Sequence, residues 1–249
     1  MIVVAAGVAG LLIGSFLNVV IHRVPRGEGI ARSRSRCPGC DATIAAYDNV
    51  PLLSWVLLRG RCRRCRASIP ARYPLVELLT AALFAAVVAV KGADADAWPA
   101  LALVVALVPI AFIDLDHRII PNRITLPAAV AAPILVAVAD SGSLAEHLVA
   151  GAAAGGFLLL ALLAYPSGMG MGDVKLAAVL GLYLGRSVAP AMLVALLAGT
   201  LVGAAIMARK GTREGRKTAV PFGPFLALGG VVGLLAGPAI VDWYAGAFL

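Results

Sequence analysis

The chain has 249 residues, of which 61% are hydrophobic and only 14% are charged, and its mean hydropathy is +0.95. This composition excludes an ordinary water-soluble domain and indicates a polytopic membrane protein, because a soluble core of this length does not need so much apolar sequence. The formal net charge of +8 suggests anionic partners, either nucleic acid or lipid headgroups.

Apolar segments recur along the chain at about the length, roughly 20 residues, that crosses the hydrocarbon of a bilayer as a helix. We predict eight spans, approximately at residues 2 to 22, 74 to 91, 98 to 114, 123 to 139, 144 to 165, 173 to 185, 188 to 208 and 222 to 241. The first span has no basic residue before it and no clear cleavage site, so we interpret it as a retained helix. The predicted fold is all-α and polytopic.

Basic residues collect in short cytoplasmic loops, so their distribution predicts the orientation. Nineteen of the 21 Lys and Arg residues fall on one face of the eight-span arrangement, including eleven Arg at 23 to 73, and only Lys91 and Arg186 fall on the other. The termini are therefore expected outside. Juxtamembrane Arg binds anionic headgroups, and few aromatic residues offer base stacking, so the charge predicts a membrane surface and no nucleic acid.

The cytoplasmic loop contains every cysteine of the chain, as two CxxC pairs, namely Cys37 with Cys40 and Cys62 with Cys65. Four thiolates at this spacing suit tetrahedral zinc, and a reducing cytoplasm disfavours two disulfides. Four sulfur ligands leave no open position for water, so the zinc is expected to be structural. The alternative is a redox dithiol. Asp41 and Arg66 follow the two pairs, where zinc turns often prefer glycine.

Two aspartates lie where long apolar segments meet short polar breaks. Asp114 stands within residues 112 to 116 (FIDLD), and Asp173 within residues 170 to 175 (GMGDVK). A carboxylate near hydrocarbon is costly to keep charged, so such a group usually belongs to a proton relay, an ion site or a hydrolytic pair. The alternative is an aspartate that marks the interface or caps a helix. We interpret the two as a hydrolytic pair.

The predicted topology brings Asp114 and Asp173 to the same cytoplasmic face. If they approach closely, like-charge repulsion leaves one protonated and one ionised near neutral pH, the working state of an aspartyl protease. Asp116 and His117 compete with Asp114 for this role, but helical geometry turns Asp116 about 200° away from Asp114. Gly170 and Gly172 allow a close approach of backbone beside Asp173.

Together these motifs make the chain resemble a known family, the bacterial prepilin peptidases of the GxGD aspartyl type (family A24), which are leader peptidases and N-methyltransferases. The resemblance spans nearly the whole chain. Besides the two aspartate motifs and the CxxC pairs, it rests on residues 14 to 23 (GSFLNVVIHR), 33 to 36 (SRSR), 47 to 51 (YDNVP), 53 to 55 (LSW), 58 to 62 (LRGRC) and 72 to 77 (RYPLVE).

The resemblance implies an enzyme of the bacterial inner membrane that cuts leaders from type IV prepilins or type II secretion pseudopilins at the cytoplasmic face. Asp114 and Asp173 occupy the family's catalytic positions. It further implies N-methylation of the new N-terminus with S-adenosylmethionine, for which Asn49, Gly60, Arg72 and Glu77 are weak cofactor-binding candidates.

The implied domains are a first helix at 1–22, a zinc-binding and methyl-transfer loop at 23–73 and a peptidase domain at 74–249. Two other classes of protein remain alternatives. A transporter would use the aspartates as ion or proton sites and would show repeated halves with broken helices. A noncatalytic scaffold would use the zinc loop to dock partners.

Overall fold

The computed structural model describes residues 1–30, 35–166, 168–211 and 220–248. Its regular elements are helices, apart from two isolated β-bridges, Arg36 with Thr43 and Arg61 with Ser68. The chain divides into two compact units, Met1–Ala93 and Asp94–Leu249. Six residues used in the sequence analysis, Arg32, Ser33, Arg34, Arg213, Arg216 and Lys217, lie outside the described residues.

The first unit consists of two long helices and the polar loop between them. Its helices are α1 (Ile2–Arg23), the short α2 (Leu53–Leu57) and α3 (Arg72–Lys91). Helices α1 and α3 pack closely because α1 presents glycines to α3. A Cβ at Gly10 would lie 2.7 Å from the Ala81 Cα, and one at Gly14 would lie 2.7 Å from the Glu77 Cα. Small residues four apart are a common means of close helix packing in lipid, where no hydrophobic effect drives helices together.

The described residues of the second unit form a bundle of six α-helices. They are α4 (Ala97–His117), α5 (Asn122–Ala139), α6 (Leu144–Ala164), α7 (Met171–Leu184), α8 (Val188–Lys210) and α9 (Gly223–Phe248). Ile110 of α4, Leu176 and Leu180 of α7 and Leu226 of α9 are fully buried. The core of this unit therefore lies where α7 and α9 meet α4, the same three helices that carry the candidate active site.

Glycines also set the tightest contacts of the second unit. A Cβ at Gly155 of α6 would lie 2.9 Å from the Ala178 Cβ of α7, and one at Gly233 of α9 would lie 2.7 Å from the Ala191 Cβ of α8. Helix pairs α6 with α7 and α8 with α9 therefore pack as α1 does with α3, through side-chain-free surfaces that allow backbone to approach backbone.

Each of the eight predicted spans corresponds to one long helix of the structure. By length and composition, seven segments of the described chain qualify as membrane spans, because α7 and α8 are joined by a three-residue turn and count as one segment, Met171–Lys210. About eight spans is consistent with this division. Helix α4 continues to His117, three residues beyond its predicted end, so that Asp114 lies in its last turn.

The boundary between the compact units does not coincide with the predicted functional boundary. Helix α3 belongs to the first unit, with α1, whereas the predicted peptidase domain begins at residue 74. A structural unit need not have the same limits as the residues that carry an activity, so the functional division stays a prediction.

Candidate active site and metal centre

Asp114 is buried in the last turn of α4. Its side chain and backbone are only 4% exposed, whereas Asp116, two residues later, is exposed. Helix α4 ends because Arg118 adopts a left-handed conformation (φ 55°, ψ 41°), with the Arg118 N–H donating to the Asp114 carbonyl. Pro121, which precedes α5, is in extended conformation.

A backbone N–H from a distant helix holds the Asp114 carboxylate. Gly223, the first residue of α9, donates a hydrogen bond of 2.8 Å to Oδ2 of Asp114. A Cβ at Gly223 would lie 2.7 Å from that same oxygen. Only glycine therefore allows this N–H to reach the carboxylate without displacing it.

Asp173 is held in a similar way at the start of α7. It is the third residue of that helix, and its Oδ2 accepts a hydrogen bond of 3.0 Å from the N–H of Gly170, the N-cap. Each of the two carboxylates thus uses Oδ2 to accept from a backbone N–H at a helix N-terminus, where the helix dipole favours negative charge.

The two carboxylates lie near enough for their charges to interact. Helices α4 and α7 touch, and the Asp114 carboxylate interacts electrostatically with that of Asp173. The fold therefore brings together two acidic groups that the sequence separates by 59 positions.

A cavity of about 460 Å³ opens beside Asp173. Three segments line it, one after α4, one before α7 and one before α9, contributing Arg118, Ile119, Ile120, Gly168, Met169, Gly170, Gly172, Asp173, Val220, Pro221 and Phe222. Gly172 brings two of these segments together, because a Cβ there would lie 2.9 Å from the Ile120 Cβ. The Lys175 Nζ donates to Asn122 Oδ1 at 3.0 Å and joins the starts of α7 and α5.

The four cysteines converge in the loop of the first unit. Their Sγ atoms all lie within 4.8 Å of one another, and the Cys37 and Cys65 sulfurs are 3.7 Å apart. A tetrahedron with Zn–S bonds of about 2.3 Å has sulfur–sulfur edges of about 3.8 Å. The cluster could therefore hold a metal ion, and its dimensions and donor set fit zinc.

Both CxxC pairs adopt the same local turn. The N–H of Cys37 donates to the Ala42 carbonyl and that of Cys62 to the Ala67 carbonyl. In each turn the residue after the second cysteine is left-handed, with φ of 53° at Asp41 and 61° at Arg66. These are the two positions where the sequence departs from the expected glycine. Glycine suits them because it adopts the left-handed conformation without a steric cost.

The turns also favour a thiolate. Backbone N–H groups of Cys65 and Arg64 lower the pKa of Cys62 to about 6. The Ala67 N–H lowers the pKa of Cys65, but hydrogen bonds with the Cys40, Cys62 and Cys37 thiols and some desolvation outweigh this effect, and the pKa of Cys65 rises to about 11. One sulfur is thus ready to bind a cation, and metal binding would displace protons from the others.

Comparison with known proteins agrees with this geometry. Residues 8–91 match the Bacterial Peptidase A24 N-terminal domain, and residues 101–208 match the Type IV leader peptidase family. The chain is 39% identical to a prepilin leader peptidase/N-methyltransferase of Aeromonas hydrophila, an alignment that covers 96% of this chain and 92% of that relative. The chain belongs to the type IV leader peptidase family.

Other relatives carry related names. A prepilin leader peptidase/N-methyltransferase of Myxococcus xanthus (strain DK1622) is 44% identical over 85% of this chain and 64% of its own length. A type 4 prepilin-like proteins leader peptide-processing enzyme of Escherichia coli O78:H11 (strain H10407 / ETEC) is 38% identical over 92% of this chain and 91% of its own. No solved structure matches the chain. The family resemblance seen in the motifs is confirmed.

Family membership and the apolar helices make this a multi-pass protein of the bacterial inner membrane. Within the second unit, Arg118, Arg123 and Lys175 lie at the same end of the bundle as Asp114 and Asp173. Which side of the membrane this end faces stays a prediction of the charge distribution.

The four cofactor-binding candidates lie in the first unit. Gly60 has φ of 63°, and a Cβ there would lie 3.0 Å from the Trp55 ring, so its backbone conformation alone accounts for glycine. Glu77 is buried and bonded to the backbone of Leu52. Asn49 is exposed, and Arg72, the first residue of α3, is half-buried.

One contact of the candidate site escaped the sequence analysis. Gly223 was assigned only to the last span, although the run Pro221-Phe222-Gly223-Pro224 interrupts the apolar pattern as a helix start does. That signal indicates a helix boundary, but nothing in the run indicates that its N–H would reach Asp114.

Proposed function

We propose that this chain is a membrane-embedded aspartyl endopeptidase that removes the leaders of type IV prepilins or type II secretion pseudopilins. Asp114 and Asp173 are its catalytic pair, and they act at the cytoplasmic face, within the peptidase domain of residues 74–249. The same chain then methylates the new N-terminus of its product. The family and the names of its relatives support both activities.

The observation that carries the peptidase proposal is the paired binding of the two carboxylates. Each accepts a backbone N–H through Oδ2, and the two charges interact with each other. An aspartyl protease needs this arrangement, because one carboxylate must take a proton from the attacking water while the other donates to the carbonyl oxygen.

The cavity beside Asp173 suits a peptide. It is lined by the extended residue Gly170 and by apolar side chains such as Ile120, Met169 and Phe222. An extended peptide could lie along this wall with its scissile bond at the carboxylates. A site at the end of a helix bundle can also receive a substrate whose apolar stem stays in the bilayer.

The metal and the methyl donor belong to the loop at residues 23–73. We assign the ion of the Cys37, Cys40, Cys62 and Cys65 cluster as Zn²⁺, because four thiolates at tetrahedral spacing select zinc. With no open coordination position it stabilises the loop fold. S-adenosylmethionine is the methyl donor that the names of the relatives imply, and it supplies an activated methyl group to the product amine.

Cleavage of a prepilin by membranes that contain each variant tests the peptidase proposal. Wild type, Asp114→Asn, Asp173→Asn and Asp116→Asn are compared, with mass spectrometry recording leader loss and the added methyl. We expect each variant of the pair to lose cleavage by at least about 10³-fold, since neither carboxylate can replace the other. Asp116→Asn, the matched control on the exposed side of α4, should cut normally.

Two other results would redirect the assignment. If Asp114→Asn and Asp173→Asn still cut, the proteolytic proposal fails, and a transporter or scaffold role regains weight. If cleavage follows the expected pattern and wild type adds no methyl group, the peptidase proposal stands and the methyltransferase proposal fails.

A further inference from the structure

A buried carboxylate of the first unit has no role in the peptidase chemistry. Glu77 lies on α3, is 7% exposed and accepts a hydrogen bond of 2.8 Å from the N–H of Leu52 through Oε2. The Ser15 side chain of α1 is within hydrogen-bonding reach of the same carboxylate. An ionisable residue inside a membrane helix is expensive to bury, and its contacts therefore deserve a functional explanation.

The partner of Glu77 is a strained turn. Leu52 has φ of 58° and ψ of −52°, and the Leu53 N–H donates to the Pro51 carbonyl across it. This is a γ-turn with positive φ, a conformation that residues with a side chain rarely adopt. Strain of this kind persists only where surrounding contacts hold it, and it concentrates at functional sites.

The turn sets the position of the segment between the two CxxC pairs. Residues 46 to 57 comprise a short turn (Ala46–Asn49), the γ-turn and α2. Within this segment the Ser54 hydroxyl donates to the Tyr47 carbonyl at 2.8 Å, and the Trp55 Nε1–H donates to the Ile69 carbonyl at 3.1 Å. These bonds stiffen the segment, and the Glu77 bond attaches it to a membrane helix.

We propose that Glu77 is a positioning residue for methyl transfer, which acts by holding the Leu52 turn and thereby orients residues 46 to 57 against α3. This inference rests on the proposed function, because methyl transfer is the activity assigned to that loop. Glu77 then acts on methyl transfer indirectly and does not bind the cofactor itself, since its carboxylate is buried and already accepts the Leu52 N–H.

The test separates the hydrogen-bond acceptor from the charge. Glu77→Gln keeps an acceptor oxygen, whereas Glu77→Met keeps the volume and removes it. Each is made in the wild-type background and with Leu52→Gly, because glycine adopts the turn without support. Purified full-length variants are assayed for prepilin cleavage and, on pre-cleaved product, for methyl transfer as kcat and KM for S-adenosylmethionine.

We expect Glu77→Met to lower the methyl-transfer kcat/KM by about tenfold or more and Glu77→Gln by less than about threefold, with cleavage unchanged in both. With Leu52→Gly the effect of Glu77→Met should shrink to less than about threefold, because the turn no longer depends on the bond. Hydrogen exchange of the peptide that contains the Leu52 amide should speed up in Glu77→Met and not in Glu77→Gln.

Several outcomes overturn the inference. Equal losses in Glu77→Gln and Glu77→Met without rescue by Leu52→Gly would mean that the charge itself is needed. Parallel loss of cleavage and methyl transfer would make Glu77 a support of the whole fold. Unchanged methyl transfer in Glu77→Met would remove its role, and absent methyl transfer in wild type would show instead that the methyltransferase part of the proposed function is wrong.

Discussion

The N–H of Gly223 reaches Oδ2 of Asp114 at 2.8 Å across 109 positions of sequence. Asp173 accepts the equivalent bond from Gly170, the N-cap of its own helix, whereas Asp114 depends on a different helix. The start of α9 is therefore part of the candidate active site, although it contributes no side chain to the chemistry.

Replacing Gly223 by alanine should impair cleavage without unfolding the bundle. The added methyl would lie 2.7 Å from Asp114 Oδ2 and must push the carboxylate away from its partner. We expect a fall in kcat of about 10- to 100-fold, in the range of other misplaced catalytic groups. The measurement is single-turnover cleavage of a prepilin in detergent.

Gly203→Ala is the matched control for this change. Gly203 lies in α8, and a Cβ there would meet no atom within 4 Å. The Gly203→Ala variant should therefore cleave the substrate as wild type does. Equal activity of both variants would show that the contact between α9 and Asp114 does not matter.

Gly10 should be needed for the packing of α1 against α3. A Cβ there would lie 2.7 Å from the Ala81 Cα, which is backbone and cannot rotate away. Gly10→Ala should therefore cost about 1–3 kcal/mol of stability, as overpacking commonly does. Thermal unfolding in detergent measures the loss. Gly7→Ala is the control, because its Cβ would sit 3.9 Å from the nearest atoms, and a similar loss there would contradict the packing argument.

The four-cysteine cluster makes a prediction about metal content. Wild-type protein should contain about one zinc per chain, and Cys62→Ser should contain almost none, because three thiolates and a hydroxyl bind zinc far more weakly. Elemental analysis after dialysis measures both. Thr43→Ser, in the same loop but outside the sulfur cluster, should keep its zinc. Full zinc in Cys62→Ser, or iron in wild type, would be incompatible with the assignment.

The ion pair of Asp48 and Arg63 predicts a pH dependence within the loop. Arg63 donates to both carboxylate oxygens at 2.6–3.1 Å, and this hydrogen bonding lowers the pKa of Asp48. A carboxyl whose native pKa is lowered contributes its stabilisation fully above its unfolded pKa, about 3.9, and loses it as the pH falls through the native value.

Asp48→Asn should therefore lower the free energy of local opening of the loop at pH 7. The decrease should be less than about 1 kcal/mol, as expected for an ion pair with an exposed partner. The difference from wild type should disappear in strong acid. Hydrogen exchange of residues 46 to 49 measures it, with Asp41→Asn as the control. A difference that grows as the pH falls would have the wrong sign.

Much of this protein follows from local sequence because membranes impose simple rules. Hydropathy alone predicted each long helix, since a span must satisfy its backbone internally and be apolar along its length. The bounds agree within three residues except in α9, which continues to Phe248, seven residues beyond its predicted end. The CxxC spacing predicted the sulfur cluster, because each pair is a local turn. The motifs around Asp114 and Asp173 indicated the family, and the charge distribution predicts that the two face the cytoplasm.

The tertiary structure decided the contacts that no periodicity encodes. Gly223 contacts Asp114, Glu77 contacts Leu52, and Gly10 lies closer to α3 than Gly7 does. In a helix that is apolar on all sides, hydropathy does not distinguish the face toward lipid from the face toward protein. Close backbone packing and single hydrogen bonds decide which face contacts protein, and they exist only once distant helices have come together.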